Sequence, residues 1–217
     1  MDDSVADVSE HLDSSDNEEF TPGKVLQDIE NAWLNEKFAP EILPHQSELV
    51  DCMLEQISHM EENMKKLKKG DIRLAIHKME IDRIRFVIKS YLRTRLEKIE
   101  QYTIHILSED DKKSPEESYL TPGERKFAKE YLANIETLFR TVALQHMPAN
   151  FQAFEVDKLT VKPNLNSHVF LRVNKPVQGI IVPGTTNDEI DLTAGAQRLI
   201  QYQPIASLVK EGAVQLI

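Results

Sequence analysis

The side chains that could do acid–base, nucleophilic or metal chemistry are present in this sequence, but not in the groupings that such chemistry needs. The seven histidines, His11, His45, His59, His77, His105, His146 and His168, are scattered along 217 residues. None forms His-Glu-x-x-His or a Cys-His arrangement. His77 and Glu80 share a helix face at i, i+3, a pairing that many helices contain by chance. Cys52 falls on an amphipathic stretch and reads as a small buried or half-buried apolar residue, not a nucleophile. Asp188, Glu189 and Asp191 cluster near a turn and read as a solvated loop. Seven glycines form neither Gly-x-Gly-x-x-Gly nor a phosphate loop. The expectation is a chain that is not an enzyme and holds no cofactor and no metal.

What stands out instead is positive charge. Twelve of the 26 Lys and Arg lie between Lys65 and Lys98, against four acidic residues there. Lys78, Arg85, Lys89 and Arg93 form a ridge along one helix, which could track phosphates. Asp82, Glu97 and Glu100 interrupt it, and aromatics for base stacking are sparse nearby. A partner interface or ion pairs within the chain therefore rank ahead of direct DNA contact, which is kept as the alternative.

The element that carries this ridge runs from Ile72 to Leu107 without Pro or Gly. Ile81, Ile84, Ile88, Leu92, Ile99 and Ile106 recur at a helical period, with Tyr91 and Tyr102 beside them. Ile72, Ile76, Met79, Phe86 and Val87 form a second apolar set on the far side. A helix apolar on two faces needs two bodies to cover it. Arg95 projects within the main stripe, so it needs a carboxylate or carbonyl partner, in this chain or another.

Other helices flank it. Thr21-Pro22 opens one that carries Val25, Leu26, Ile29, Ala32 and Trp33 on a face and stops before Pro40. Val50, Met53, Ile57, Met60, Met64 and Leu67 make a second helix, ending in the lysine run before Gly70, after which Asp71 caps the long helix. Ser108 to Ser118 reads as a mobile loop. Thr121-Pro122-Gly123-Glu124 is a capping-box start for a helix bearing Phe127, Tyr131, Ile135, Leu138 and Val142, widened by Leu132 and Phe139 and ended by Met147-Pro148. Beyond a linker come five short strand-like runs, His168–Val173, Gly179–Val182, Glu189–Leu192, Arg198–Tyr202 and Val214–Ile217, with a short helix over Ile205–Lys210.

The expected architecture is thus α+β. Residues 1–20 form an acidic tail, 21–147 a helical A domain of about four helices, 148–165 a linker and 166–217 a small β-rich B domain. So small a β module has a marginal core and should dock on something. The tail holds eight Asp and Glu and no Lys or Arg, which leaves a body of net charge −2 out of the total of −10. Disorder is expected there, with Ser15 a site for an acid-directed kinase. A single cysteine fits a reducing compartment. No apolar run is long enough for a membrane span, and the acidic N-terminus is unlike a secretory signal.

Several long motifs resemble the GINS family, the subunits of a four-protein complex of eukaryotic DNA replication, and its Sld-five class in particular. They are AWLNEKFAPEIL (Ala32–Leu43), RIRFVIKSYLRTRLEKIE (Arg83–Glu100), QHMPAN (Gln145–Asn150), HVFLRV (His168–Val173) and LIQYQPIASLVKEGAVQLI (Leu199–Ile217). The resemblance implies a helical A domain followed by a β-rich B domain, and no catalytic activity. It implies a nuclear heterotetramer with three paralogues of the Psf-one, Psf-two and Psf-three types. That complex would join the MCM ring and a DHH-phosphoesterase-like co-activator in the CMG helicase and connect it to DNA polymerase epsilon. Candidate subunit contacts on this reading are Trp33, Phe38, Arg83, Arg85, Tyr91, Arg93, Arg95, Val169, Leu171, Leu216 and Ile217.

Overall fold

A computed structural model describes residues 22–68, 70–114, 117–181 and 189–217. The acidic segment with Ser15, the Thr21 cap, Val182 and Asp188 lie outside that range. Four helices form the N-terminal part: α1 (Pro22–Phe38), α2 (Ser47–Lys65), α3 (Ile72–Asp110) and α4 (Pro122–Val142). The apolar periods decide how they pack. Val25 and Ile29 of α1, Val50, Met53 and Ile57 of α2, and Ile81, Ile84, Ile88 and Tyr91 of α3 close one core. Ile42, Ile99, Ile106, Leu107, Leu120 and Ala128 close another where α4 crosses α3. Asp71 caps α3 by accepting from the Arg73 N–H at 2.9 Å. Thr121 and Glu124 close the capping box of α4, at 3.2 Å from Glu124 N to Thr121 Oγ1 and 2.9 Å from Thr121 N to Glu124 Oε2.

The long helix departs from expectation in three ways. It bends at Tyr102, whose φ/ψ of −118°/24° is not helical. At the bend Thr103 Oγ1 donates back to the carbonyls of Ile99 and Glu100, a bond that often accompanies bent helices. The helix also runs past Leu107 into the stretch expected to be loop. Asp110 is buried there, accepts from Ser118 Oγ at 2.6 Å and faces Arg125 Nε at 3.1 Å, so the last charged turn has partners. Leu92 lies at the surface, because the buried line passes through Tyr91 and Arg95. Two other ends differ from expectation. α2 stops at Lys65, short of the lysine run's end, and Gly70 takes φ +95° in the turn that follows. α4 stops at Val142, and a 3-10 turn over Leu144–His146 carries the chain to Met147.

Beyond the one-turn α5 (Val156–Leu159), the chain forms β1 (His168–Val173), β2 (Val177–Ile181), β3 (Glu189–Leu192), β4 (Gln197–Gln201), α6 (Ala206–Lys210) and β5 (Val214–Leu216). β1 lies between β4 and β5, antiparallel to both, while β2 and β3 make a separate hairpin. The period of two sends Val169, Leu171 and Val173 inward and His168, Phe170 and Arg172 outward. The inward side chains join Tyr202, Ile205, Val209, Val214 and Leu216, and also Ala39 and Leu43 from the helical part. The body on which this small sheet docks is therefore the chain's own α1 and the loop after it. Polar contacts fix the joint. Leu216 N–H donates to Asn35 Oδ1 at 2.8 Å, and Gln215 Nε2 to Asn31 Oδ1 at 2.7 Å. Tyr202 OH donates to Glu41 Oε1 at 3.0 Å, and Lys210 pairs with the same carboxylate at 2.8 Å.

Asn35→Ala would leave the Leu216 N–H without its partner. The expected cost is about 1–3 kcal/mol of stability, together with faster amide exchange at Leu216 by NMR. Unchanged exchange there would remove Asn35 from the joint.

Candidate interaction surface

Arg95 is 1% exposed, and all of its N–H donors are used. Nε and Nη2 bind Glu124 at 2.7 and 3.0 Å, in the two-pronged geometry that suits guanidinium and carboxylate. Nη1 reaches Glu36 Oε2 at 3.1 Å and the Leu43 carbonyl at 2.7 Å, and Nη2 also reaches the Tyr119 carbonyl at 2.8 Å. One turn on, Lys98 donates to the Glu36 carbonyl, to Glu36 Oε1 at 2.8 Å and to the Glu41 carbonyl at 2.7 Å. Two cations thus meet two carboxylates in the interior, with backbone carbonyls taking the remaining donors.

The surroundings tune each charge. Burial opposes the Arg95 cation, but Glu124 and Glu36 hold it more firmly charged than a free arginine. Burial pushes the Glu124 carboxyl up, and the Arg95 hydrogen bonds outweigh that, leaving it below the ordinary value. Burial also holds the Lys98 ammonium below the ordinary lysine value in spite of Glu36.

The residues expected at subunit contacts fall into two groups. Arg95 finds all of these partners in its own chain. Tyr91 is buried and accepts from Gln46 N–H at 3.2 Å. Val169, Leu171 and Leu216 are buried in the core of the C-terminal sheet. Five residues supplied apolar bulk or charge that the chain itself consumes. The others remain at or near the surface. Phe38 is exposed, Trp33 is half-buried with its indole N–H on Ser90 Oγ at 2.9 Å, and Ile217 is half-buried. Arg83 pairs with Glu80 at 2.8 Å and with Glu30, Arg85 with Glu61 at 2.6 Å and Arg93 with Glu97 at 3.1 Å.

Glu36 and Lys98 were missed, although a signal for both existed. Val25, Ile29, Ala32 and Glu36 step along one face of α1 at intervals of four, three and four. Ile84, Ile88, Tyr91, Arg95 and Lys98 do the same on α3, so an acid and two bases stood on facing buried stripes.

The second apolar set of α3 remains uncovered. Ile72, Ile76, Met79 and Phe86 are 58–74% exposed and stand on the side away from the core, with Arg83, Ser90 and Arg93 on the same line. Only Val87 of that set is buried, and the edge of Trp33 meets Phe86 at 6.2 Å. A second bare patch combines Leu138, Phe139 and Val142 of α4 with Met147 and Phe151. Beside it a cavity of about 170 Å³ opens between the α3 bend and α4, lined by Tyr102, Leu132, Ile135, Phe139, Phe154 and Leu159. Among the described residues no three His, Cys, Asp or Glu side chains converge as a metal site, and no helix is long and apolar enough to cross a membrane. What this arrangement can do chemically is offer apolar area framed by charge, which is the composition of a protein interface.

Comparisons with known proteins agree along the chain. Residues 47–143 match the family model for the GINS complex protein helical bundle domain, Sld5, and residues 163–217 match that for the C-terminus of DNA replication complex GINS protein SLD5. The chain is 46% identical to the DNA replication complex GINS protein SLD5 of Xenopus laevis, over 100% of both chains. It is 47% identical to that of Homo sapiens over 91% of each. The Arabidopsis thaliana protein of the same name is 29% identical over 98% of this chain and 100% of its own.

Arg95→Met should cost about 3–5 kcal/mol in chemical unfolding, because it strands Glu36 and Glu124 in the interior. Arg93→Ala, at an exposed pair, should stay within about 0.5 kcal/mol; equal losses would contradict the assignment of the cluster as buried. The pH dependence has a definite sign. Glu124 has a folded value below its ordinary 4.5, so its stabilisation is present above 4.5 and is lost as pH falls through the folded value. Glu124→Gln should flatten the acid limb of stability against pH.

Proposed function

The chain belongs to the Sld5 family of GINS proteins, and on that footing we propose that it is a non-catalytic subunit of a heterotetrameric GINS complex in DNA replication. Its partners are three paralogues of the Psf-one, Psf-two and Psf-three types. In the nucleus that complex joins the MCM ring and the DHH-phosphoesterase-like co-activator in the CMG helicase, serves initiation and elongation, and connects to DNA polymerase epsilon. Within the chain, 21–147 acts as the assembly domain and 166–217 as a second domain joined through 148–165.

The observation that carries this reading is the bare outer stripe of α3, opposite a face its own chain fully covers. Its magnitude decides what kind of contact it makes. Four partly exposed side chains contribute about 4–8 kcal/mol on burial, while association costs about 4–15 kcal/mol in lost freedom. One stripe is therefore too little for a lasting complex, and the α4 patch is needed as well. Two patches, one on α3 and one on α4, fit a subunit held between neighbours better than one half of a simple dimer. The alternative, DNA binding through the α3 ridge, is weakened because Arg85 and Arg93 already have carboxylate partners.

Sedimentation of the chain with its three paralogues should give one equimolar species, distinct from the chain alone. Combined Ile76→Glu and Phe86→Glu should abolish that species while leaving the chain's own unfolding transition within about 0.5 kcal/mol, since both sites are exposed. Full assembly of the doubly charged variant would overturn the reading.

A further inference from the structure

The bare stripe of α3 is framed differently at its two ends. Ile72, Ile76, Met79 and Phe86 fall on one line of the helix, about 21 Å long at a rise of 1.5 Å per residue. Around the Phe86 end the cations are answered within the chain. Arg83, Arg85, Arg93, Arg95 and Lys98 each have a carboxylate oxygen within 3.1 Å, and among the described residues there Lys89 alone has none.

Around the Ile72 end they are not. Residues 65–78 contain six Lys and Arg and one acidic residue, Asp71. Lys65 and Lys66 close α2, and the Lys68 carbonyl accepts from the Asp71 N–H at 3.2 Å in the turn that leads into Ile72. At about 100° of rotation per residue, Arg73 and Lys78 flank the stripe on opposite sides. Lys65, Lys66, Lys68, Arg73 and Lys78 are all exposed. Arg73 reaches Asp71 at 3.5 Å, and Lys66 has Asn63 Oδ1 at 3.0 Å; among the described residues Lys65, Lys66, Lys68 and Lys78 meet no carboxylate. Like charge crowded on one turn repels itself, a cost that no contact within the chain offsets.

We propose, resting on the subunit reading above, that this end of α3 docks an acidic amphipathic helix of a neighbouring subunit. Its apolar face lies on Ile72, Ile76 and Met79, and its carboxylates meet the α2–α3 lysines, Arg73 and Lys78. The apolar side chains among the cations decide between protein and nucleic acid. A phosphate backbone would answer the lysines but leave two isoleucines and a methionine wet, and residues 65–79 contain no Phe, Tyr or Trp on which a base could stack. A helix with apolar residues at every third and fourth position covers such a line along its length. The Phe86 end calls for no such acids, so the neighbour's carboxylates gather toward one end of its helix. That gradient fixes the direction in which the neighbour lies along α3, because the reversed helix would leave the lysines and its own acids unpaired.

Two measurements on the four-subunit complex test it. In the first, equal amounts of the natural chain and a Lys65→Glu, Lys66→Glu, Lys68→Glu variant compete for a limiting supply of the three paralogues. At low ionic strength the natural chain should enter the complex in about ten-fold excess or more. At about 1 M salt, where the screening length is roughly 3 Å, that excess should fall to about two-fold or less. Equal entry at low salt overturns the proposal and leaves the subunit reading standing, which fails only if the Ile76→Glu, Phe86→Glu variant assembles. Equal entry combined with weaker binding of a labelled DNA duplex would make this end a phosphate contact instead. A deficit undiminished by salt also overturns the proposal, since it reports something other than charge. In the second measurement, a water-soluble carbodiimide joins a lysine amine to a touching carboxylate as an amide and takes up the water that is lost. It should couple Lys65, Lys66, Lys68 or Lys78 to Asp or Glu in a paralogue segment of apolar helical spacing. Coupling confined to segments without that spacing, or none at these lysines, overturns the proposal.

Discussion

The arrangement of the helical part depends on one group of buried charges. Arg95 and Lys98 draw Glu36 from α1, Glu124 from α4, and the carbonyls of Leu43, Glu41 and Tyr119 from two loops to a single locus. Taking such ions out of water is costly, so the group adds less net stability than its bond count suggests. Its effect is on register. A slide of α1 by one residue would carry Glu36 away from both cations, and the stranded charges would penalise the misfit far more than mismatched aliphatics would. The capping box of α4 is tied in as well, because Glu124 caps its helix with one oxygen while it holds Arg95 with both.

With register set from inside, the outer face of α3 is free to be apolar. Ile72, Ile76, Met79 and Phe86 make no contribution to the first core, whose α3 side is Ile81, Ile84, Ile88 and Tyr91. Their cost to the isolated chain is exposed apolar surface, and their use is adhesion. The two faces can thus change separately, one constrained by an ionic group and the other by the shape of a neighbour.

Much of this was legible in the residues because it is local. The two Pro-led helix starts, the Asp71 cap, the strand alternation of His168–Val173 and the two-faced character of α3 follow from spacing alone. The Tyr102 bend was not, since neither Pro nor Gly marks it in the sequence. Which acid answers Arg95 was half legible: Glu36 stands on an apolar stripe, but choosing it over the other acids needs the parallel packing of α1 on α3. The candidate interface was least legible. Leu171 and Leu216 have the same composition as contact residues, and only the tertiary fold tells an inward leucine from one awaiting a partner.

Ala39 and Leu43 sit in the core of the C-terminal sheet, while Ile42 between them sits in the core formed by α3 and α4. Five consecutive positions therefore serve as a wall common to two rooms. Heat or denaturant that loosens the sheet must unseat this wall, and with it the carbonyls of Glu41 and Leu43 that anchor the cations. The helical part and the sheet should consequently melt as one cooperative block, although the sequence is written in two textures.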